Sequence, residues 1–379
     1  MEYKKLGDIA TYINGYAFKP EQRGSEGLPI IRIQDLTGNA YDLGYYNGDY
    51  PKKVELNDGD VLISWSASLG VYLWNRGKAL LNQHIFKVVF DKVEIDKFYF
   101  MYAVEYNLDK MSLKTHGATM KHITKKDFDN VVIPYPELDY QKEVAYRLSS
   151  LKGIIENYKK QLDLLDELVK ARFVEMFGDP VTNDMLWNTD VLKDICTKIG
   201  SGSTPRGGKE SYIDEGISLI RSMNVHNAYF EYKDLAHITL DQAEKLNNVV
   251  VEHDDLLFNI TGASVARCCV VPSDVLPARV NQHVCILRCR EKINPIFLQG
   301  LLVNENYQGK LLQIAKSGAT REAINKQQLE SLEIMIPPLE LQNQFASFVQ
   351  EIDKSRSRIQ KSLEASQELF DSLMQEYFG

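Results

Sequence analysis

The chain has 379 residues, of which 44% are hydrophobic and 25% charged, as is typical of a folded globular protein with two or three domains. Its formal net charge of −8 does not favour a solitary nucleic-acid binder, and no apolar run approaches the length of a membrane span. The N-terminus lacks the apolar core of a signal peptide, so we expect a cytoplasmic protein.

The first predicted domain covers residues 1–136 and mixes strands with fewer helices. Short runs bounded by turn residues predict strands in LPIIRI, DVLISWS and HIFKVVF, and DKFYFMYAVEYNL predicts a helix. The segment YDLGYYNGDYPKKVE places four tyrosines beside two lysines, a composition that suits either a DNA-contacting surface or an aromatic hairpin. Further on, residues 110–126 hold five lysines, two histidines and no acid, so this segment is locally basic.

Residues 137–178 predict one long helix with a single apolar stripe. From Val144 to Met176 the apolar residues recur at alternating spacings of four and three, which is a heptad seam with one stutter. Pro136 and Glu137 suit a helix start, and Gly178 suits its C-terminal cap. A helix of this length extends about 60 Å.

A linker at 179–186 leads to a second predicted domain at 187–338 and a second long helix at 339–379. Strands are predicted in ISLIRSM, DLLFNI and HVCILRC, and a helix in PIFLQGLLVNENYQGKLLQ. The second long helix repeats the apolar stripe from Phe345 to Tyr377, with Arg356 and Ser366 as polar exceptions.

The second half of the chain repeats the first. From Gly117 to Gly178, a gapless offset of 201 aligns 62 positions with 17 identities, which include the repeated Gly-Ala-Thr and the terminal Phe-Gly. Upstream the offset falls to 199 at the two copies of Asn-Gln-His and to 189 at the two copies of Ile-Arg. A period this long indicates a duplicated domain rather than a solenoid.

The apolar stripe of a long helix must be buried against another element, and the second long helix, which carries a matching stripe, is the obvious partner. We therefore predict an antiparallel coiled coil whose seam includes Leu151, Leu162, Ile352 and Leu363, although each helix could instead pack on its own domain. The predicted fold class is α+β, with two β-rich mixed domains in pseudo-twofold arrangement joined by this helical pair.

The sequence offers little for catalysis. GSGSTPRGGKES departs from a phosphate-binding loop, and the seven histidines show no metal-ligand spacing. His84 and His283 recur in the two copies of Asn-Gln-His, where hydrogen bonding in the core is favoured over a functional role. The five cysteines all lie in the second half without a CxxC pair and are interpreted as buried reduced thiols.

With two mixed domains, each followed by a long helix that starts at PYPELDYQ or PPLELQ, the chain resembles the DNA-specificity subunit of type I restriction-modification systems. NITGASVAR and the helix ending in MFGDP belong to the same pattern. The resemblance implies two target-recognition domains, each reading one half of a split asymmetric site, and a helical pair that sets the spacing. It also implies two methyltransferase subunits, which carry S-adenosylmethionine, two motor-nuclease subunits, double-stranded DNA as partner, no membrane and no catalysis on this chain.

Candidate DNA contacts follow from charge and from the motifs, with a solvated surface role as the alternative for each. In the first domain they are Arg32, Lys114, Lys121 and His122, and in the second Arg206, Arg221, Arg267 and Arg321. Two other functions stay open: the recognition subunit of a related system whose methyltransferase and nuclease share one partner chain, and a coiled-coil adaptor that binds only protein.

Overall fold

The computed structural model describes residues 2–38, 43–66, 68–114, 124–205, 207–316 and 322–379. The chain divides into two compact units: unit 1 comprises Met1–Lys159 with Lys361–Gly379, and unit 2 comprises Lys160–Gln360. Each unit contains one globular part and a section of both long helices. These helices span Leu138–Phe177 and Leu339–Phe378, within a residue or two of the predicted helical segments.

The described residues of unit 1 form two four-stranded sheets and a two-stranded ribbon. The sheet orders are β2-β9-β6-β7, which is antiparallel throughout, and β4-β3-β8-β5, in which β3 and β8 are parallel; β1 pairs with β10. The strands are β1 (Tyr3–Lys5), β2 (Thr11–Asn14), β3 (Leu28–Ile31), β4 (Gly44–Tyr46), β5 (Glu55–Leu56), β6 (Val61–Ser64), β7 (Gly70–Leu73), β8 (Ala79–Leu81), β9 (Ile85–Val89) and β10 (Val132–Pro134). The helices are α1 (Leu6–Ile9), α2 (Ile33–Leu36), α3 (Lys97–Lys114), α4 (Lys125–Asp129) and the start of α5 (Leu138–Phe177).

Unit 2 repeats this order and adds the hairpin β14-β15 between the strands equivalent to β3 and β4. Its sheets are β12-β21-β18-β19 and β16-β13-β20-β17, and β11 pairs with β22. The strands are β11 (Thr189–Val191), β12 (Cys196–Ser201), β13 (Ile217–Ile220), β14 (Val225–His226), β15 (Tyr229–Phe230), β16 (Ala236–Ile238), β17 (Val250–Val251), β18 (Leu256–Asn259), β19 (Cys268–Val270), β20 (Ala278–Val280), β21 (Val284–Cys289) and β22 (Glu333–Met335). The helices are α6 (Leu192–Ile195), α7 (Leu240–Glu244), α8 (Pro295–Val303), α9 (Glu305–Lys316), α10 (Lys326–Glu330) and α11 (Leu339–Phe378).

The central strands are buried on both faces because each lies between helices and a second sheet. On β18, Leu256 and Phe258 pack with the helices, whereas Leu257 between them packs with the second sheet. In unit 1, Val61 and Ile63 face the helical side and Leu62 faces the other. Side chains alternate with period two along a strand, so an uninterrupted apolar run is what a strand in this position requires.

The glutamine shared by PYPELDYQ and PPLELQ fastens each long helix to its unit. Gln141 is 1% exposed and Gln342 is fully buried. The Gln342 amide donates to the Pro337 carbonyl at 2.8 Å and accepts from the Asn294 N–H at 2.8 Å. Gln141 makes the same two bonds to the Pro136 carbonyl and the Asp96 N–H, at 2.8 and 3.0 Å. The repeated motif is therefore structural: it joins the start of a long helix to the residue that immediately precedes α3 or α8.

The two long helices pair antiparallel, as predicted. In unit 2 the start of α11 meets the end of α5, where the Phe345 ring lies 5.5 and 5.6 Å from Phe173 and Phe177. In unit 1 the end of α11 meets the start of α5, where the rings of Tyr377 and Tyr140 are 6.4 Å apart. In both units, therefore, the start of one long helix packs against the end of the other. The helices also contact the globular parts, since Phe173, Phe177 and Phe345 enter the core of unit 2 and Tyr377 enters the core of unit 1.

One predicted helix is two helices in the structure. PIFLQGLLVNENYQGKLLQ forms α8 and α9, which are separated at Asn304. Asn304 has an extended ψ of 137°, and its side-chain oxygen accepts from the Asn306 N–H at 3.0 Å. An asparagine that caps a new helix start in this way ends the preceding helix.

Candidate nucleic-acid interface

Four of the eight residues predicted to contact DNA, Lys121, His122, Arg206 and Arg321, lie outside the described residues, as do both copies of Gly-Ala-Thr. Lys114 is the last residue of α3, and its side chain is not among those described. The structure therefore gives side-chain surroundings for Arg32, Arg221 and Arg267, and for all eight the DNA contact stays a prediction.

Arg32 holds a turn together within unit 1. Its guanidinium donates to both carboxylate oxygens of Asp35, from Nε at 3.0 Å and Nη2 at 3.2 Å. The same carboxylate accepts the Arg32 backbone N–H at 2.8 Å, which caps α2. Asp35 is only 4% exposed, so this ion pair neutralises a buried acid.

Arg221 occupies the equivalent turn in unit 2, where Asn224 replaces the acid. The Asn224 side chain still caps the turn by accepting the Arg221 N–H at 3.1 Å, but an amide cannot form an ion pair. The Arg221 guanidinium instead donates to the Asp234 carbonyl and lies 5.5 Å from the ring of Tyr212. This arginine is held by one carbonyl and one aromatic face.

Arg267 faces a cleft of unit 2 with a volume of about 460 Å³. Its only side-chain hydrogen bond among the described residues joins Nη1 to the Nδ1 of His226 at 3.4 Å. It forms no ion pair within the described part of the chain, in contrast to Arg32. Apart from Met223, the residues that line the cleft are small, polar or basic: Ser222, Met223, His226, Thr261, Gly262, Ala263, Ser264, Arg267 and His283.

A tight loop between β18 and β19 presents Arg267 to this cleft. The loop turns at Gly262 and Ala266, whose φ angles of 77° and 71° lie in the left-handed region. Val265 and Ala266 are buried, and the Gln308 side chain donates to the Ala266 carbonyl at 2.9 Å. The Asn259 N–H donates to the Arg267 carbonyl at 2.8 Å, which continues the strand ladder to Arg267 itself. The backbone that carries the guanidinium is therefore fixed on both sides.

Two histidines of the cleft were absent from the predicted contacts. His283, at the turn before β21, has its Nδ1 2.6 Å from the Thr261 hydroxyl. His226, on the added hairpin, stacks on Tyr229 with ring centroids 4.6 Å apart. The repeated Asn-Gln-His pointed to His283, which is hydrogen-bonded as predicted but is only partly buried and lines the cleft. The sequence around His226 carried no such signal.

The corresponding loop of unit 1 has a different chemistry. In the strand register, Gly70 pairs with Ser64 at the position that Arg267 occupies opposite Asn259. Trp65 fills part of this region, stacked on Phe86 at 5.5 Å and edge-on to His84 at 5.1 Å. The two units therefore offer an arginine in one loop and aromatic surface in the other.

Over its described residues, 43–55, the tyrosine-rich segment of unit 1 runs from β4 at one edge of a sheet to β5 at the other edge, so it does not form a hairpin. The Tyr46 ring lies 5.1 Å from Phe18, and the Tyr50 hydroxyl donates to Glu55 at 2.9 Å. The segment is therefore a packed aromatic stretch and not the predicted hairpin, and its contact with DNA stays a prediction.

The predicted seam residues all lie on the long helices. Leu151 is 9% exposed, and Leu162, Ile352 and Leu363 are partly buried. Near them, Arg356 of α11 donates to the Asp166 carboxylate of α5 at 2.5 Å, so one polar exception of the stripe forms an ion pair across the helices.

Further features bear on other kinds of site. Within the described ranges, no three histidine, cysteine or acidic side chains are grouped as metal ligands. All five cysteines are free, and burial raises the pKa values of Cys269 and Cys285 to about 12. None of the described helices combines the length and apolar character needed to cross a membrane.

Two similar mixed α+β units, each with a section of both long helices, define a duplicated, modular class of protein, and comparison with known families identifies the family. The family model "type I restriction modification DNA specificity domain" matches residues 1–166 and again 185–367. The chain therefore belongs to the type I restriction-modification DNA specificity family. This membership disfavours the protein-only adaptor.

Curated relatives agree over nearly the whole chain. The EcoBI specificity subunit of Escherichia coli is 24% identical over 94% of this chain and 80% of its own length. The MjaVIII specificity subunit of Methanocaldococcus jannaschii is 22% identical over 95% of this chain and 89% of its own.

Solved structures share the fold. The S subunit of a type I system from M. genitalium matches 100% of this chain and 96% of its own with a TM-score of 0.63 at 15% identity. A chain from a study of the assembly and conformational transition of a type I system matches 99% and 97% with a TM-score of 0.57 at 16% identity.

Proposed function

We propose that the chain is the non-catalytic, sequence-reading subunit of a type I restriction-modification complex in the cytoplasm. Each unit reads one half of a bipartite, asymmetric DNA site, and the long helices set the spacer between the halves. The observation that carries the proposal is that the same family model matches both halves of a duplicated chain. A duplicated reading unit whose loops differ between copies suits a site whose two halves differ in sequence.

The division of labour has a physical basis. Base edges in the major groove carry the sequence code, and side chains must be presented there by a rigid scaffold. The loop that carries Arg267 is short, partly buried and fixed by backbone hydrogen bonds. Phosphate contacts supply much of the affinity of protein–DNA complexes but not their specificity. A chain with a net charge of −8 therefore depends on its partners for part of that affinity.

The partners in this proposal are double-stranded DNA, two methyltransferase subunits and the motor-nuclease subunits. S-adenosylmethionine belongs to the methyltransferase subunits, which methylate adenine. Leu164 and Leu168, one turn apart on α5, are 56% and 47% exposed and supply apolar surface for docking. One of the similar solved chains was studied for the assembly of a type I system, which supports a role within an assembly.

Methylation mapping tests the proposal directly. The chain is co-expressed with its methyltransferase subunit, and the methylated adenines of the host genome are mapped. We expect a single motif with two specified halves and an unspecified spacer. Exchanging residues 187–338 for the second domain of a family member with a different DNA target should change one half of the methylated motif and leave the other half intact.

A heptad inserted into both long helices tests the spacer role. Seven residues lengthen a helix by about 10.5 Å, or roughly three base pairs at 3.4 Å each. A whole heptad keeps the apolar stripe on the paired face. A heptad in α5 alone is the control, because it lengthens only one of the two paired helices. An unchanged spacer after the double insertion would contradict the proposal.

A further inference from the structure

Arg267 combines three features that neither Arg32 nor Arg221 shows together. It borders an open cleft, it has no acidic partner among the described residues, and its backbone is fixed on both sides. Arg32 is held by a buried carboxylate and Arg221 by a backbone carbonyl. A guanidinium presents donors in a rigid planar fork, so its natural ligand is a pair of acceptors side by side.

We propose that Arg267 reads a guanine in the half-site bound by unit 2, donating two hydrogen bonds to O6 and N7 in the major groove. The inference rests on the proposed DNA-reading function and specifies its chemistry. Guanine presents two adjacent acceptors on its major-groove edge, and a bidentate arginine is the commonest specific contact to it. The cleft lining contains no carboxylate, so cytosine's amino group lacks an acidic acceptor there.

The side chain is oriented before DNA binds. Cys268 and Ala266, on either side of Arg267, are both fully buried, which restricts movement of the loop. The His226 ring stacks on Tyr229 and meets one end of the guanidinium through its Nδ1. Holding a flexible side chain in its bound conformation lowers the entropy cost of binding. His226 is accordingly a positioning residue.

The small residues at the tip of the loop allow the close approach that a base edge requires. A phosphate is reached by any cation on a flexible side chain, whereas a base edge requires the loop backbone to approach the groove closely. Gly262, Ala263 and Ser264 form the exposed or partly exposed tip of the loop, and their small side chains permit that approach. Unit 1 has Gly70 at the register position of Arg267, so this guanine contact belongs to one half-site only.

The test compares three variants in the co-expressed methyltransferase complex: Arg267→Ala, Arg267→Lys and the control Arg290→Ala. Lysine keeps the charge but loses the fork, so it separates base reading from phosphate attraction. Arg290 is exposed and follows the other end of β21, about 20 Å along the strand from His283. Methylation is mapped in the genome, and binding to site variants is measured at several salt concentrations. Circular dichroism melts check folding.

We expect both Arg267 variants to relax the motif at one G·C pair in one half, with discrimination there falling roughly 5- to 150-fold. The base preference at the other positions of the motif should not change, and the Arg290→Ala complex should methylate the full motif. A uniform loss in Arg267→Ala, with the salt slope lowered by about one and Arg267→Lys still discriminating, indicates a phosphate contact and overturns the inference. A motif without any G·C pair in its halves also overturns it.

Two further outcomes keep the inference apart from the proposed function. If the unaltered complex methylates no defined motif, the proposed function itself fails. If the Arg267 variants do not fold, the unaltered complex is tested on sites carrying 7-deazaguanine, which lacks the N7 acceptor, at one guanine at a time. Weaker binding at a single guanine of the half-site bound by unit 2 supports the inference, and equal binding at every guanine of that half-site refutes it.

Discussion

Replacing Gln342 tests whether the repeated glutamine fastens a long helix to its unit. Gln342→Ala removes bonds to the Pro337 carbonyl and the Asn294 N–H, both at 2.8 Å, and a weaker one to the Lys292 carbonyl at 3.3 Å. Leaving a buried donor or acceptor without a partner costs about 1–3 kcal/mol. Two strong bonds are lost in a fully buried site, so we expect a loss of about 2–4 kcal/mol.

The assay is urea denaturation of the purified chain, followed by circular dichroism. With an m value of about 2–3 kcal/mol/M for a unit of this size, the midpoint of the affected transition should fall by about 1 M. Gln344→Ala is the matched control, because Gln344 lies on the same helix but is exposed; it should change stability by less than about 0.5 kcal/mol.

A second substitution at this position sharpens the test. Gln342→Glu keeps an acceptor for the Asn294 N–H but places a carboxylate oxygen against the Pro337 and Lys292 carbonyls. We expect it to destabilise more than alanine at neutral pH, because a buried carboxylate faces two acceptors. Equal midpoints for Gln342→Ala and Gln344→Ala would refute the reasoning.

Three further predictions concern packing, a buried ion pair and thiol reactivity. A Cβ at Gly300 would lie 2.9 Å from Phe173 and 3.0 Å from Phe345, whereas one at Gly309 meets nothing within 4 Å. In thermal melts, we expect Gly300→Ala to lower the free energy of unfolding by about 1–3 kcal/mol and Gly309→Ala to raise it by about 0.5–1 kcal/mol. Arg288 donates to both oxygens of the fully buried Asp255 at 2.8 Å. In the same melts, we expect Arg288→Met to lower the free energy of unfolding by about 3–5 kcal/mol. The control Arg290→Met, at an exposed residue, should lower it by less than about 0.5 kcal/mol. Burial raises the pKa values of Cys269 and Cys285 to about 12, so these thiols stay protonated at pH 8 and should react with a thiol reagent only after unfolding. Mass spectrometry locates the modified cysteines, and modification of either thiol in the folded chain would contradict its burial.

The long helices and the duplication could be predicted from sequence because their signals are local and regular. An apolar stripe of constant spacing predicts a helix without knowledge of its neighbours, and PxLxxQ repeats at an unchanged offset. The role of Gln342 could not be predicted, since its partner Asn294 lies 48 residues earlier in the chain. A motif that reads as a helix start proved to be the point where helix and globular part join.

The three described arginines show why charge alone predicts a binding surface poorly. Arg32 has an acid three residues later, and that spacing could have indicated an ion pair within a turn. Arg221 has Asn224 at the same distance, so its partners depend on the tertiary fold. Arg267 meets His226 across 41 residues, through a hairpin that the sequence did not predict.

Comparison of the two duplicated units shows which features maintain the fold and which differ where DNA is proposed to bind. Both units keep the same strand order, the same buried glutamine and the same capped turn after the third strand of the unit. They differ in the loop that follows the buried Ser64 or Asn259, where one unit has Trp65 and Gly70 and the other has Arg267. Arg267 is only partly buried at the end of its loop, so a change of this side chain leaves the core packing of unit 2 in place and a new base preference can arise there without loss of stability. An asymmetric DNA site is what such a chain would read.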